Sequence, residues 1–365
     1  MDNYIVSCDA HKRYSLFGTL NPSTQAHAHT RVEHAPGAIR TFLAKFPEGT
    51  PVALETVGNW YWIVDEIEAA GCVPLMANAG KAKLMMGHVD KTDKLDADGL
   101  LTLLQVGTLP TVWLPPGPVR DSRELYRTRM ALCKQRTGLK NRVQATLAKY
   151  ALSVDDETDI FAGKGRKQLE LTIQSLPAET GRCVQQELQV LDYLQTQIRA
   201  MEKRIRECVK LTPTMQWLKT LPGVGDILAI VIGLEMGPAD RFARAEQFCS
   251  YCGTVPRVKS SGDTTHYGHT RKQCNHYLKW AFFEAANVAA RHRNARSWRE
   301  KHVVRLYERV RKHKGHGVAI GAVARHLSEA AYAVTLRSEP YREPDPSRAC
   351  PSRGKREAKL APREP

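Results

Sequence analysis

The chain predicts a three-part fold: an α/β N-terminal domain over residues 1–117, a helical and coiled-coil middle over 118–215, and a mainly α C-terminal domain over 216–337. Three observations carry this. Short apolar runs alternate with helix-period stretches up to a Pro-Pro-Gly-Pro break at 115–118. A long segment rich in Arg, Lys, Gln and Leu follows, with no strand signals. Beyond residue 216 apolar helical segments dominate, until Pro, Arg and Glu take over at 338–365. That tail is expected to be disordered, because it lacks the aliphatic residues needed for a core.

The elements follow in order. Residues 4–8 form a short apolar run ending at Asp9, and 14–20 look like its hairpin partner. Ile39, Phe42, Leu43 and Phe46 share one helical stripe. Residues 51–54 read as a buried strand ending at Glu55. Trp60, Ile63, Ile67 and Ala70 are in helical register and are closed by Gly71. A strand at 73–77, a helix at 91–106 and a last strand at 111–114 complete the first part. Residues 120–152 form a basic helix. Within 184–208, Val184, Leu191, Leu194, Ile198, Met201, Ile205 and Cys208 keep a three–four spacing that only Glu187 interrupts. An antiparallel helical hairpin and an intermolecular coiled coil both fit that seam, and a partner protomer is the expected occupant. Further on, a polar loop is expected at 257–270, with helices at 275–292 and 316–336.

Composition narrows the function. Hydrophobic residues make up 42% and charged residues 25%, as in ordinary globular proteins, which argues against a disordered chain or a fibre. The balance of 54 basic against 38 acidic residues leaves +16. Enzymes of small metabolites rarely need that excess, and nucleic acid is the first partner to consider. The longest apolar run, 227–234, has eight residues, whereas a membrane span needs about 20. No membrane partner is expected, and no signal peptide is read at the N-terminus. Nine scattered cysteines suit reduced thiols and a cytoplasmic location, which the expected nucleic-acid partner would make nucleoid-associated.

Four constellations could carry chemistry. Asp9 and Glu55 end two strands, and Asp93 and Asp96 lie three apart on one helical face. Carboxylates converging in this way repel one another unless divalent cations lie between them, and magnesium prefers such oxygen ligands. The same acids also fit a solvated surface. Leu-Pro-Gly-Val-Gly at 221–225, with Gly223 and Gly225, resembles the phosphate-holding turn of helix-hairpin-helix modules, or a plain interhelical turn. Ser260 and Ser261 precede Gly262 in a basic loop, where a hydroxyl could meet a phosphate or simply complete a turn. Cys249 and Cys252, followed by His266 and His269, approximate a zinc spacing, but the histidine pair is too tight, and packing is the reading preferred.

Taken together, these pieces resemble the DEDD-type insertion-sequence transposases, a family understood as bridge-RNA-guided recombinases. The resemblance rests on Asp9 after a strand, Glu55 in Ala-Leu-Glu-Thr, and Lys-Thr-Asp-Lys-Leu-Asp-Ala at 91–97. It continues through Arg-Thr-Gly-Leu-Lys-Asn-Arg at 136–142 and the glycine turn at 221–225. Phe242, Tyr-Cys-Gly-Thr-Val-Pro at 251–256, Ser261-Gly262 and Lys272-x-x-Asn275 complete it. It spans about residues 4–336, with two departures: Cys274 stands where glycine is common, and His-Thr-Arg at 269–271 replaces a small-residue run.

The resemblance implies a ribonuclease-H-like, Ruv-C-like N-terminal fold in which Asp9, Glu55, Asp93 and Asp96 hold magnesium. It implies Ser261 as the nucleophile on DNA, with Ser260 as the alternate, in a composite site formed by an oligomer. A structured guide RNA, a homodimer and a tetramer on nucleic acid are the implied partners. Arg120, Arg123, Arg127, Arg129, Lys134, Arg136, Lys140 and Arg142 on the basic helix, with Lys259 and Lys272, are the candidate nucleic-acid contacts. The function expected is that of a DNA transposase. A metal-dependent Holliday-junction-type nuclease and a non-catalytic nucleic-acid-binding protein are the rivals.

Overall fold

A computed structural model describes residues 4–56, 58–87, 92–154, 159–262 and 264–344. Lys91, in the expected 91–106 helix, and most of the 338–365 tail lie outside the described residues. The chain divides into two compact units, Met1–Pro116 and Gly117–Pro365.

The first unit is built on β1 (Ile5–Ala10), β2 (Tyr14–Asn21), β3 (Ala26–Glu33), β4 (Pro51–Glu55) and β5 (Val73–Ala77). They form one mixed sheet in the order β3-β2-β1-β4-β5. β1 pairs antiparallel with β2 and parallel with β4, so it is the central strand. Both its faces are covered, which is why it reads as a short apolar run, with only the buried Ser7 polar before Asp9. Helices α1 (Ala38–Leu43) and α2 (Trp60–Ala69) cover one face, packing Ile39, Phe42, Ile63 and Ile67 on Val6, Val52 and Leu54. α3 (Ala79–Met86) and α4 (Asp93–Gln105) cover the other, where Ala82, Leu100 and Leu103 meet Ala53 and Ala77. The alternation Val52, Ala53, Leu54 between these two cores is the period-two signature of a strand.

Two sequence expectations change here. β3 was not anticipated, because its Ala-His-Ala-His-Thr-Arg-Val-Glu run is polar and largely exposed. It is a sheet edge, where charge and histidine guard open backbone groups. Conversely, the strand expected at 111–114 contributes only an isolated bridge between Ala77 and Thr111.

The second unit opens with α5 (Gly117–Lys149), α6 (Gly163–Ile173) and α7 (Ala178–Cys208). α5 and α7 lie side by side and antiparallel, as successive side-chain rungs show: Arg129 to Glu202, Arg136 to Gln195 and Arg142 to Glu187. This corrects the expectation of a partner protomer in the α7 seam. Val184, Leu191, Leu194, Ile198 and Ile205 are buried within the chain, Leu188 joins them, and Cys208 is exposed. A three–four spacing specifies an apolar stripe but not whose helix fills it. Here α5 supplies Val143 and Leu147 at one end and Tyr126 near the other.

The rest of the unit comprises α8 (Pro213–Leu218), α9 (Asp226–Met236), α10 (Ala245–Tyr251), a hairpin of β6 (Pro256–Ser261) and β7 (Thr264–Thr270), α11 (His276–Arg291), α12 (Arg296–Arg299) and α13 (His302–Arg337). The expected polar loop at 257–270 is therefore a β-hairpin. α13 starts well before the expected 316, with a break at Gly315, whose φ is 77°. No described helix is long and apolar enough to cross a membrane.

Candidate active site

Sheet register brings the first two carboxylates together. Cys8 lies opposite Leu54 on the parallel neighbour, so the next residues along, Asp9 and Glu55, stand side by side at the carboxyl ends of β1 and β4. Ligands of open α/β sheets bind beyond those ends. α4 supplies the other pair. Thr92 caps it, accepting a hydrogen bond from the Leu95 amide, and Asp93 and Asp96 fall in its first turn. The positive helix end tolerates two acids there.

A histidine not foreseen from the sequence sits inside this group. His11 Nε2 lies 3.0 Å from Asp9 Oδ2 and 3.2 Å from Asp93 Oδ2, and the Tyr14 hydroxyl donates to Asp93 Oδ2 at 2.8 Å. Asp9 Oδ2 and His11 Nε2 are both buried without a well-formed hydrogen bond among the described residues. Burial pushes the Asp9 carboxyl above its ordinary range. The nearby His11 opposes that rise, while Asp96 and Asp93 reinforce it. The site thus concentrates negative charge that His11 offsets only in part. The signal available in the sequence was the spacing, since His11 is two residues beyond Asp9 on the same side of the chain.

Ser261 ends β6 in the second unit. It pairs with Thr264 across the hairpin tip, where Gly262 adopts φ 56°. Both strands are exposed, including Lys259 and Ser261, and Ser260 Oγ shares a hydrogen bond with Thr265 at 3.0 Å. Ser261 is thus the more distal serine, beside a glycine whose left-handed backbone permits close approach.

The basic helix is less available than its sequence suggested. Arg120 and Arg123 are buried, at 5% and 6% exposure, which takes them off the surface as phosphate contacts. Arg123 donates to the Leu234 carbonyl at 3.1 and 2.6 Å, and Arg127 donates to Glu235 at 3.2 and 2.8 Å. Arg129 pairs with Glu202, Arg136 donates to Gln195, Lys140 reaches Asp159 at 3.3 Å, and Arg142 pairs with Glu187. Lys134 and Lys272 are exposed.

Arg123 and Arg127 serve Glu235, a carboxylate that is only 1% exposed. Tyr126 donates to one of its oxygens, and Asn275 Nδ2 donates to the other at 2.9 Å and to the Tyr251 hydroxyl at 3.1 Å. Asn275 also caps α11. Burial by itself would raise the Glu235 carboxyl, yet Arg123, Tyr126 and Arg127 together hold it below its ordinary range. Its sequence signal was a lone acid near the end of Ile-Leu-Ala-Ile-Val-Ile-Gly-Leu-Glu-Met.

Parts of the remaining motifs are built into the packing. Gly223 has φ 83°, and a Cβ there would fall 2.5 Å from the Ala285 carbonyl oxygen, so the turn crosses α11 at backbone contact. Gly225 caps α9, whose first-turn Asp226 pairs with Lys219 at 2.6 Å. Cys249 and Cys252 are in the core, with Cys249 Sγ 3.2 Å from Ser328 Oγ, while His266 and His269 lie on the exposed hairpin.

A DEDD IS110-type transposase model matches residues 6–152, the acidic unit and the whole of the basic helix α5. The Transposase IS116/IS110/IS902 family model matches residues 215–302, which include the glycine turn, Glu235, the serine hairpin and Asn275. A probable family 20 transposase of Pseudomonas aeruginosa is 25% identical over 283 residues, covering 73% of this chain and 81% of its own. The transposase for insertion sequence element IS1111A of Coxiella burnetii is 25% identical over 69% of each chain. The IS1328 transposase of Yersinia enterocolitica is 24% identical over 68% of this chain and 72% of its own. Membership carries a ribonuclease-H-like α/β fold for the first unit, in keeping with its mixed five-stranded sheet. With the models matching both units, the chain belongs to the IS110 family of DEDD transposases and is a DNA-recombining enzyme.

Proposed function

We propose that this transposase cuts and rejoins DNA with Ser261 as nucleophile and Asp9, Glu55, Asp93 and Asp96 as a magnesium-binding quartet. The observation that carries the reading is the acidic centre. Asp9 and Glu55 end adjacent parallel strands, and the charges of Asp93 and Asp96 add to the rise that burial imposes on Asp9. A set of four carboxylates, with His11 between Asp9 and Asp93 and a buried Asp9 oxygen that lacks a well-formed hydrogen bond, fits a hard divalent cation. Bound there, magnesium would neutralise phosphate charge and lower the barrier to displacement.

The chain's own residues do the rest. The Ser261 oxygen forms a bond to phosphorus as the bond to the 3′ oxygen breaks. The serine proton is released and the departing oxygen gains one, leaving a phosphoserine link and a free 3′-hydroxyl. Resealing reverses these bond changes on the exchanged strand, so the sequence of steps consumes no water. Tyr14 and His11 hold the Asp93 carboxylate in place. In this reading a second copy of the chain brings its serine hairpin to the quartet, in a homodimer that becomes a tetramer on nucleic acid. A structured RNA guides target choice, supported by the +16 charge and the exposed Lys134, Lys259 and Lys272.

The test is adduct formation on denaturing gels with labelled DNA and magnesium. Ser261→Ala removes the adduct and recombination but keeps nucleic-acid affinity, whereas Ser260→Ala is much milder. A full-strength adduct from Ser261→Ala transfers the role to another residue. Wild-type cleavage that never yields an adduct instead establishes a hydrolytic nuclease. RNA co-purifying with the protein, and lost on mutation of the exposed lysines, tests the guide.

A further inference from the structure

A second group of ligating side chains lies in the first unit, outside the quartet. His27 and His29 are two apart on the edge strand β3, so both rings rise from the same face of the sheet. The rings meet edge to face, with centroids 4.6 Å apart. Their Nε2 atoms converge on one oxygen, Asp98 Oδ1, at 2.9 and 2.7 Å. The three ligand atoms all lie within 4.8 Å of one another.

The fold builds this convergence. His29 is paired across the ladder with Gly18 of β2. A Cβ at Gly18 would fall 2.8 Å from Leu101 Cδ1, so the bare glycine lets α4 settle closely on the sheet at that point. Asp98 precedes Leu101 by three residues, and that descent lowers its carboxylate towards the β3 histidines. On α4, Asp98 is two residues beyond Asp96, about 200° around the helix, and so faces away from the quartet pair.

We propose that His27, His29 and Asp98 form a binding site for a transition-metal ion of the zinc class, separate from the quartet. Two imidazole nitrogens and one carboxylate oxygen suit zinc, cobalt or nickel, whereas magnesium prefers oxygen alone. Tetrahedral coordination needs ligand separations of about 3.3 Å, so the histidine–carboxylate distances must open by about half an ångström. That adjustment is small for side chains that are 39%, 20% and 38% exposed. Solvent access leaves the fourth position to water or to a ligand from outside the unit. A bound ion would fasten the edge strand to α4, the helix that carries Asp93 and Asp96.

The experiment is a cobalt(II) titration of the full chain after stripping with chelator, followed by visible absorption and by zinc displacement. It is run in an Asp9→Asn/His11→Gln background, so that the other histidine–carboxylate group cannot answer. One equivalent of cobalt is expected, with a ligand-field band of low-symmetry nitrogen–oxygen coordination that zinc abolishes. Adding His27→Gln and His29→Gln should weaken binding by at least about 100-fold, since second-shell losses alone cost 10–100-fold. Circular dichroism checks that the fold persists. Asp98→Asn provides the second arm: it can still accept hydrogen bonds from both rings but is a poor ligand, and it should also weaken binding. Equal cobalt affinity in either variant overturns the site, as does a thiolate charge-transfer band showing that the cysteines bind the ion.

Discussion

Asp9 and Glu235 are carboxylates in different units with opposite surroundings. Glu235 is sealed in the core of the second unit and answered by two arginines, a tyrosine and an asparagine. Asp9 is also mostly buried, yet its neighbours are acids and one histidine, and its buried oxygen lacks a well-formed hydrogen bond. The shifts follow: Glu235 falls below the ordinary carboxylate range and Asp9 rises above it. A buried charge with complete partners is structural, because the fold has already answered it. One left unanswered, at strand ends where ligands bind, is kept for something that arrives later. The contrast separates framework from chemistry without reference to sequence motifs, in which both kinds of residue look alike.

The sharpest break in the comparison is a change of function without loss of fold. Asp9→Asn keeps the shape of the side chain and removes its charge. Strand cleavage should fall on the order of 10⁴-fold or more, equivalent to about 5 kcal/mol of transition-state stabilisation. Filter-binding affinity for DNA should stay within a few-fold. Cleavage within tenfold of wild type would remove Asp9 from the chemistry.

The counterpart change in the second unit acts on stability. Glu235→Gln leaves Arg123 and Arg127 at a buried site without their counter-charge, which typically costs about 3–5 kcal/mol. Denaturant unfolding of the full chain reads this directly. The pH dependence has a defined sign. Because the Glu235 carboxyl is lowered from its ordinary 4.5, its contribution is complete above that pH and is lost as pH falls through the lower folded-state value. The gap between wild type and variant should therefore be widest near neutrality and close under acid. A gap that does not change with pH would mean that packing, not charge, holds the cluster.

Much of this was legible in the sequence, and the failures have physical causes. Strand ends at Asp9 and Glu55 and the 93/96 pair could be read because a central strand is apolar on both faces and then stops. β3 could not be read that way, since an edge strand need not be apolar, and with it went the histidines that face Asp98. The α7 seam revealed its stripe but not its partner, because side-chain spacing carries no information about which chain supplies the second helix. The arginines of α5 fall around most of the helix and read alike as candidate nucleic-acid contacts. Arg120 and Arg123 are instead buried, and no helical period distinguishes an arginine facing phosphate from one facing Glu235. Ser261 was placed in a loop because Ser, Gly and Asp favour turns, and the strands around its tip have no apolar face to announce them.

The smallest effect is the most discriminating, because it has the opposite sign at the two carboxylates. Removing charge from Glu235 should destabilise, whereas removing it from Asp9 should stabilise. The Asp9 carboxyl is raised from its ordinary 3.8, so the folded state holds that proton more tightly than the unfolded chain. Stability from this group is greatest below 3.8 and declines as pH rises through the window up to the raised value. Asparagine does not titrate and escapes the decline. At pH 7 Asp9→Asn should gain about 0.5–2 kcal/mol, the range common when a functional site is relieved of its strain. The gain should vanish in acid. It should also shrink when magnesium is added, because the cation stabilises only the protein that retains the full quartet. Thermal melts of both proteins at pH 4 and pH 7, with and without magnesium, give the four values required. A variant less stable than wild type at pH 7 without metal would mean that His11 already satisfies Asp9, and would return this carboxylate to the same structural class as Glu235.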